Sequence, residues 1–262
     1  MPGKLAVGSV LARSLRTCLR NAPAFLLLSF IAHAPAILMA WLQASGAWHV
    51  RSLPRLRVLL LLIDSVASLI ATGFVAYGVF EDLRGRRASL FASLGASVNR
   101  MGSIVGAAIR LIFYMAIFFV LCGFALGVVN NTLPAAARGP FSALAVLGAL
   151  AVFYCRFYVV IPVAVVERAW ASRSIERSIA LTDGQKWRVA GVVLPLVALD
   201  VLVARLDNQY ALAYGAITWW VLYTVGTVVL GMLSSTASAV TYHDLRLLKD
   251  GVGVDELAQV FE

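Results

Sequence analysis

The chain has 262 residues, 61% of them hydrophobic and 13% charged, and carries a formal net charge of +9. Soluble domains average about 45–50% apolar and 25% charged residues, so a water-soluble fold of this composition would have to bury nearly every surface it owns. Composition therefore sets aside an ordinary soluble domain and indicates an integral membrane protein, with the positive charge gathered at the membrane surface.

In chain order, the first element is the basic lead from Lys4 to Arg20. On a 3.6-residue wheel Leu11, Leu15 and Cys18 fall on one side and Arg13, Arg16 and Arg20 on the other, as in a helix lying in the headgroup plane of an anionic leaflet. The apolar run Ala22–Leu42 follows. Ala32-His33-Ala34 imitates a small-residue cleavage site, but this run exceeds a signal core of about 7–15 residues, so an uncleaved first span is expected.

The second span, Val58–Phe80, contains Asp64 and ends at YGVFEDLRGRRASLFASL, Tyr77 to Leu94. There Arg84, Arg86 and Arg87 lead into a second amphipathic segment carrying Leu90, Phe91, Leu94 and Val98. Ile104–Val129 is the third span, with Arg110, and Phe141–Val166 the fourth, with Arg156. A third amphipathic segment carries Ile175 and Ile179 ahead of a short fifth span, Val189–Ala204, holding Pro195 and Asp200; Ala211–Leu233 is the sixth. At 1.5 Å per residue most of these runs cross a hydrocarbon core about 30 Å thick. The expected fold is all-α: one membrane domain over residues 1–262, a bundle of six transmembrane helices with short cytoplasmic amphipathic helices. Pro35, Pro162 and Pro195 break helical hydrogen bonds inside three spans. Gly102/Gly106, Gly123/Gly127 and the run Ser234–Ala239 are expected to form close-packed faces.

Basic residues orient the bundle. If the N-terminus is inside, the inner segments hold fifteen: Lys4, Arg13, Arg16, Arg20, Arg84, Arg86, Arg87, Arg100, Arg168, Arg173, Arg177, Lys186, Arg188, Arg246 and Lys249. The outer loops hold Arg51, Arg55, Arg57, Arg138 and Arg205, so both termini are expected in the cytoplasm.

A weak repeat underlies this order. Laid over each other, Phe80–Ser93 and Val165–Ser178 match Asp82 with Glu167, Ser89 with Ser174 and Ser93 with Ser178. Asp244-Leu245-Arg246 repeats Asp82-Leu83-Arg84, and Ser14-Leu15 parallels Ser93-Leu94 and Ser178-Ile179. The unit is an amphipathic helix, a span, an outer loop, a returning span and an acid, giving copies over about 5–82, 83–167 and 168–244, with a tail at 245–262.

From Ile161-Pro162 through Glu167, Ser178, Leu181-Thr182, Gly184 and Trp187-Arg188, and again at Tyr242-His243-Asp244-Leu245-Arg246, the chain resembles the bacterial multi-pass proteins related to the membrane domain of glycerophosphoryl diester phosphodiesterases. The resemblance covers the second half and reaches the first through the repeat. It implies a bacterial inner-membrane protein and makes Glu167, Ser178, Thr182, Trp187, Tyr242, Asp244 and Arg246 family-like positions. The sequence ends soon after the last span, so the membrane part alone is expected and no metal-binding acids or histidines of a catalytic barrel are carried over.

No chemistry of another kind emerges. Cys18, Cys122 and Cys155 have no metal-site or disulfide spacing, and His33, His49 and His243 lie far apart, so no metal or other cofactor is expected. No phosphate loop or nucleophile elbow is present, which makes an enzyme less expected than a binding module. The ionisable residues inside spans remain: Asp64, Arg110, Arg156 and Asp200 each cost about 2.5–3.5 kcal/mol or more at the bilayer centre. Arg110 lies about 9 Å and Arg156 about 15 Å from the inner end of its span, and Asp64 about 9 Å from the outer end, so Asp64 is expected as the partner of Arg156. Arg13, Arg16, Arg20, Arg84, Arg86 and Arg87 are expected to contact headgroups. These features fit a lipid-interacting module whose partners are membrane lipids. A small-solute or proton-coupled transporter, and a scaffold that assembles with another membrane protein or with itself, stay open; a nucleic-acid partner is not expected.

Overall fold

The computed structural model describes residues 5–46, 54–85, 95, 101–132 and 134–251. Among these residues every regular element is helical: α1 Val7–Arg20, α2 Ala22–Ala32, α3 Ala34–Ala44, α4 Pro54–Leu83, α5 Met101–Thr132, α6 Ala135–Phe157, α7 Val160–Val166, α8 Ala171–Thr182, α9 Lys186–Tyr214 and α10 Ala216–Asp250. Leu62–Leu83, Met101–Val129 and Ala216–Asp250 are long and apolar enough to cross a membrane, and α2 with α3 makes a fourth span if a bent pair counts as one. Large apolar side chains such as Leu62 on α4, Phe124 on α5, Leu202 on α9 and Val225 on α10 lie on the outer surface. An apolar exterior of this extent suits a bilayer rather than water.

Proline shapes two of the expected spans. The first is not one helix: α2 and α3 meet at His33 with a bend of 59°, since Pro35 has no N–H to offer the carbonyl one turn earlier. The fourth is divided into α6 and α7, because Pro162 likewise frees the carbonyl of Tyr158. Ser238 on α10 donates its hydroxyl to that carbonyl at 2.7 Å, and Ser178 on α8 donates to the carbonyl of Arg156 at 2.8 Å. Two helices thus supply the donors that the break removes. The fifth differs in the other direction: α9 continues through Pro195 to Tyr214, so the expected outer loop between Ala204 and Ala211 is helical, and the chain turns instead at Gly215, whose φ is 89°.

The core is concentrated where α4, α7 and α10 end. Ser235 to Leu245 of α10 are all buried, with Phe80 of α4 edge-on to Tyr242 at 5.8 Å between ring centroids. A second cluster joins Ile104 and Ala108 of α5 to Val160 and Ile161 of α7 and Ile175 of α8. Helix α1 buries Cys18 of the apolar side that the wheel suggests and packs Leu11 against the core, together with Val10, Ser14 and Thr17, while Leu15 is 52% and Leu19 69% exposed. Thr17 on this face donates its hydroxyl to Asp82 of α4, and Ser14 donates to the Val10 carbonyl of its own helix. The second amphipathic segment, with Leu90, Phe91, Leu94 and Val98, lies outside the described residues.

Of the expected glycine faces, Gly106 meets Ala171 of α8 at 3.7 Å from where a Cβ would sit, whereas among the described residues nothing lies within 4 Å of that point at Gly102, Gly123 or Gly127. Close approach occurs elsewhere, above all at Gly231.

Candidate functional site

The site begins at the bend. His33 ends α2, and its Nδ1 lies 2.8 Å from the carbonyl of Ser29. A carbonyl only accepts, so Nδ1 carries a hydrogen; Nε2 lies 2.7 Å from the Ser68 hydroxyl of α4, which can donate or accept. Ser29 itself donates to the carbonyl of Val228 on α10 at 2.8 Å. The imidazole is packed closely against that helix: a Cβ on Gly231 would lie 2.5 Å from His33 Cε1 and 2.9 Å from Ser29 Oγ.

Around His33 opens a cleft of about 400 Å³. One wall is polar and comes from two stripes at helical spacing. Asp64, Ser65, Ser68 and Thr72 share a face of α4, and Gly231, Ser234, Ser235 and Ser238 a face of α10; Thr72 and Ser235 hydroxyls meet at 3.1 Å. The opposite wall is apolar: Leu111, Ile112 and Met115 of α5, with Phe153 and Phe157 of α6. Tyr154 and Tyr158 complete it and also line an adjoining cleft of about 230 Å³ that reaches Asp200. Two buried polar atoms in the larger cleft, Asp64 Oδ1 and Tyr158 Oη, find no hydrogen-bond partner among the described residues.

Of the expected intramembrane residues, Asp64 and Asp200 line these clefts, whereas Arg110 and Arg156 are exposed. Among the described residues no Asp64–Arg156 ion pair forms. The break after Phe157 places Arg156 in the last turn of α6, where its side chain turns outward while its carbonyl takes the Ser178 hydroxyl. His33 and the hydroxyl stripes were not picked out as a site from the sequence, although Asp64-x-x-x-Ser68-x-x-x-Thr72 is a legible i, i+4 pattern.

Three of the arginines expected at headgroups have carboxylate partners. Arg13 pairs with Asp244 of α10, Arg20 with Asp82 of α4 at 3.3 Å, and Arg84 with Glu81 at 3.2 Å. Buried carboxylates at the ends of α4 and α10 would be stranded without a counter-charge, so the arginines turn toward the protein. Arg16 is exposed, and Arg86 and Arg87 lie outside the described residues.

The family-like positions gather at the same end. Glu167 accepts from Arg177 at 3.2 Å and from the Tyr242 hydroxyl at 3.0 Å, and Arg246 donates to Tyr242 Oη at 3.2 Å. Arg177 also pairs with Asp250. His243 Nδ1 lies 3.2 Å from Asp244. Thr182 donates to the Ser178 carbonyl at 2.9 Å, Gly184 takes a φ of 74° in the turn that follows, and Trp187 is 88% exposed. Nearby, Lys186 holds the Asp183 carboxyl below its usual range through a hydrogen bond, and burial pushes the Cys18 thiol up, leaving it an inert core residue. These contacts lock helices together; among the described residues no group of acids, cysteines and histidines could hold a metal.

No protein-family profile, curated protein or solved structure matches the chain.

Proposed function

We propose that this is a six-span protein of the bacterial inner membrane, with both termini in the cytoplasm, whose intramembrane cleft holds a lipid or lipid-like amphiphile. The observation that carries the reading is the division of the cleft: hydroxyls, His33 and Asp64 on one wall, aliphatic and aromatic side chains on the other. Such a surface matches a molecule with a polar head and an apolar chain. Handling lipid is also what the resemblance to the membrane part of glycerophosphoryl diester phosphodiesterases would suggest.

The topology rests on two supports. The basic segments indicate which side is inner, and α1, α8 and the ends of α4, α7 and α10 meet through ion pairs at one end of the bundle, as one shared side requires. The three-unit reading has its own support. Arg13 and Arg177 each precede a matched Ser-Leu or Ser-Ile step, and each pairs with a matched acid of the preceding unit: Arg177 with Glu167, and Arg13 with Asp244 of the last unit. The second pair would close the units into a ring.

A second reading, proton-coupled transport of a small solute, draws on the adjoining cleft. It shares His33, Tyr154 and Tyr158 with the first and carries polar groups from Asp64 past an imidazole to Asp200.

The lipid reading is tested by a photo-crosslinking amino acid at Met115, in the cleft, and at Phe124, on the outer surface, after thorough washing in detergent. Lipid adducts at Met115 and none at Phe124 are expected. Equal labelling, or none at either position, would contradict the reading.

A further inference from the structure

Resting on the lipid reading, we infer that the amphiphile the cleft takes is zwitterionic, with a primary ammonium directed to Asp64 and an acceptor oxygen within reach of Tyr158. Among the described residues, no lysine or arginine lines either cleft, so neither offers a counter-charge to an anionic headgroup. The exposed positions of Arg110 and Arg156 remove the two cations the sequence offered at this depth. His33 has neither ring nitrogen left for a headgroup, because Nδ1 donates to the Ser29 carbonyl and Nε2 is bonded to the Ser68 hydroxyl.

What the cleft leaves open is complementary. Among the described residues, Asp64 Oδ1 is a buried acceptor without a donor and Tyr158 Oη a buried hydroxyl without a hydrogen-bond partner. Neither satisfies the other. A ligand that contributes one cationic donor and one oxygen acceptor would complete both, which an ethanolamine phosphate does and a glycerol phosphate, lacking the cation, does not. The aromatic wall agrees with this choice. Phe153 and Phe157 pack with ring centroids 4.4 Å apart and Tyr154 and Tyr158 at 5.9 Å, and aromatic faces attract ammonium groups while offering nothing to an anion. The acyl chains then lie along Leu111, Ile112 and Met115.

The test reconstitutes the full chain in vesicles of equal parts phosphatidylethanolamine, phosphatidylglycerol and phosphatidylcholine, re-extracts it, and weighs the retained lipids by native mass spectrometry. Phosphatidylethanolamine should be enriched about tenfold over phosphatidylglycerol, the ratio that a charge-assisted hydrogen bond provides. It should also exceed phosphatidylcholine, whose ammonium has no N–H. In Asp64→Asn, which keeps the shape and removes the charge, the retained mixture should return to the vesicle ratio. The comparison among the three lipids in the parent protein decides the matter even if the variant does not fold. Retention of phosphatidylglycerol in preference, or retention with no preference, overturns the ammonium assignment and leaves the lipid reading standing. Free ethanolamine provides the remaining arm. If it raises the melting temperature of the parent protein and not of Asp64→Asn, while no lipid is retained, the ammonium assignment is supported and the lipid reading gives way to a small-solute site.

Discussion

Replacing Asp82 with Ala is expected to lower stability by about 3 kcal/mol, because a buried donor left without its acceptor costs about 1–3 kcal/mol and this carboxylate serves several. It accepts from the Thr17 hydroxyl at 3.0 Å and from Asn21 Nδ2 at 2.9 Å, with Arg20 Nε at 3.3 Å. These three residues occupy the last turn and the C-cap of α1, so one side chain fastens the N-terminal helix to the end of α4. The side chain of Asp82 is 7% exposed and that of Arg20 46%. The guanidinium therefore regains water when its partner is removed, and the hydroxyl does not. Arg20→Ala should accordingly cost much less than Asp82→Ala when thermal unfolding is followed in detergent. Equal losses would mean that the ion pair, and not the neutral donors, holds α1 in place.

A second large effect is expected at Gly231. Its missing side chain lets the His33 ring lie against α10, and even a methyl group would come within 2.5 Å of Cε1. The ring cannot turn aside without giving up Ser29 on one nitrogen and Ser68 on the other. Gly231→Ala should therefore cost about 1–3 kcal/mol by overpacking and pry α2 from α10, with loss of whatever the cleft retains. Removing the imidazole relieves the clash. The double replacement of Gly231 and His33 with Ala should be less damaging than the sum of the single ones, since residues in contact are not additive. A strictly additive result in thermal unfolding would show that the close approach does not constrain this helix pair.

Much of the helical layout was legible because hydropathy and the 3.6-residue period act locally. Pro35 and Pro162 also announced breaks, but a sequence does not say how far a helix bends or which distant hydroxyl answers the freed carbonyl. That limit explains the failed Arg156–Asp64 pairing. Counting depth along an unbroken fourth span put Arg156 well inside, whereas the actual end of α6 turns it outward. The acidic partners of the basic collar were hidden for a similar reason: Arg13 finds Asp244 across 231 positions of sequence, and no local pattern reveals such a partner. Asp64 stood out because a carboxylate in a span is costly. Ser68, Thr72 and Ser235 did not, since hydroxyls in a helix cost little and read as packing surface; only their placement beside His33 makes them a wall.

The most direct test of the account is a density map of the full chain in nanodiscs made from bacterial lipid. An elongated density is predicted between Met115 and Phe157, with its polar end within hydrogen-bond distance of Asp64 Oδ1. A cleft that holds only isolated water peaks, or that lies outside the lipid belt of the nanodisc, would contradict it.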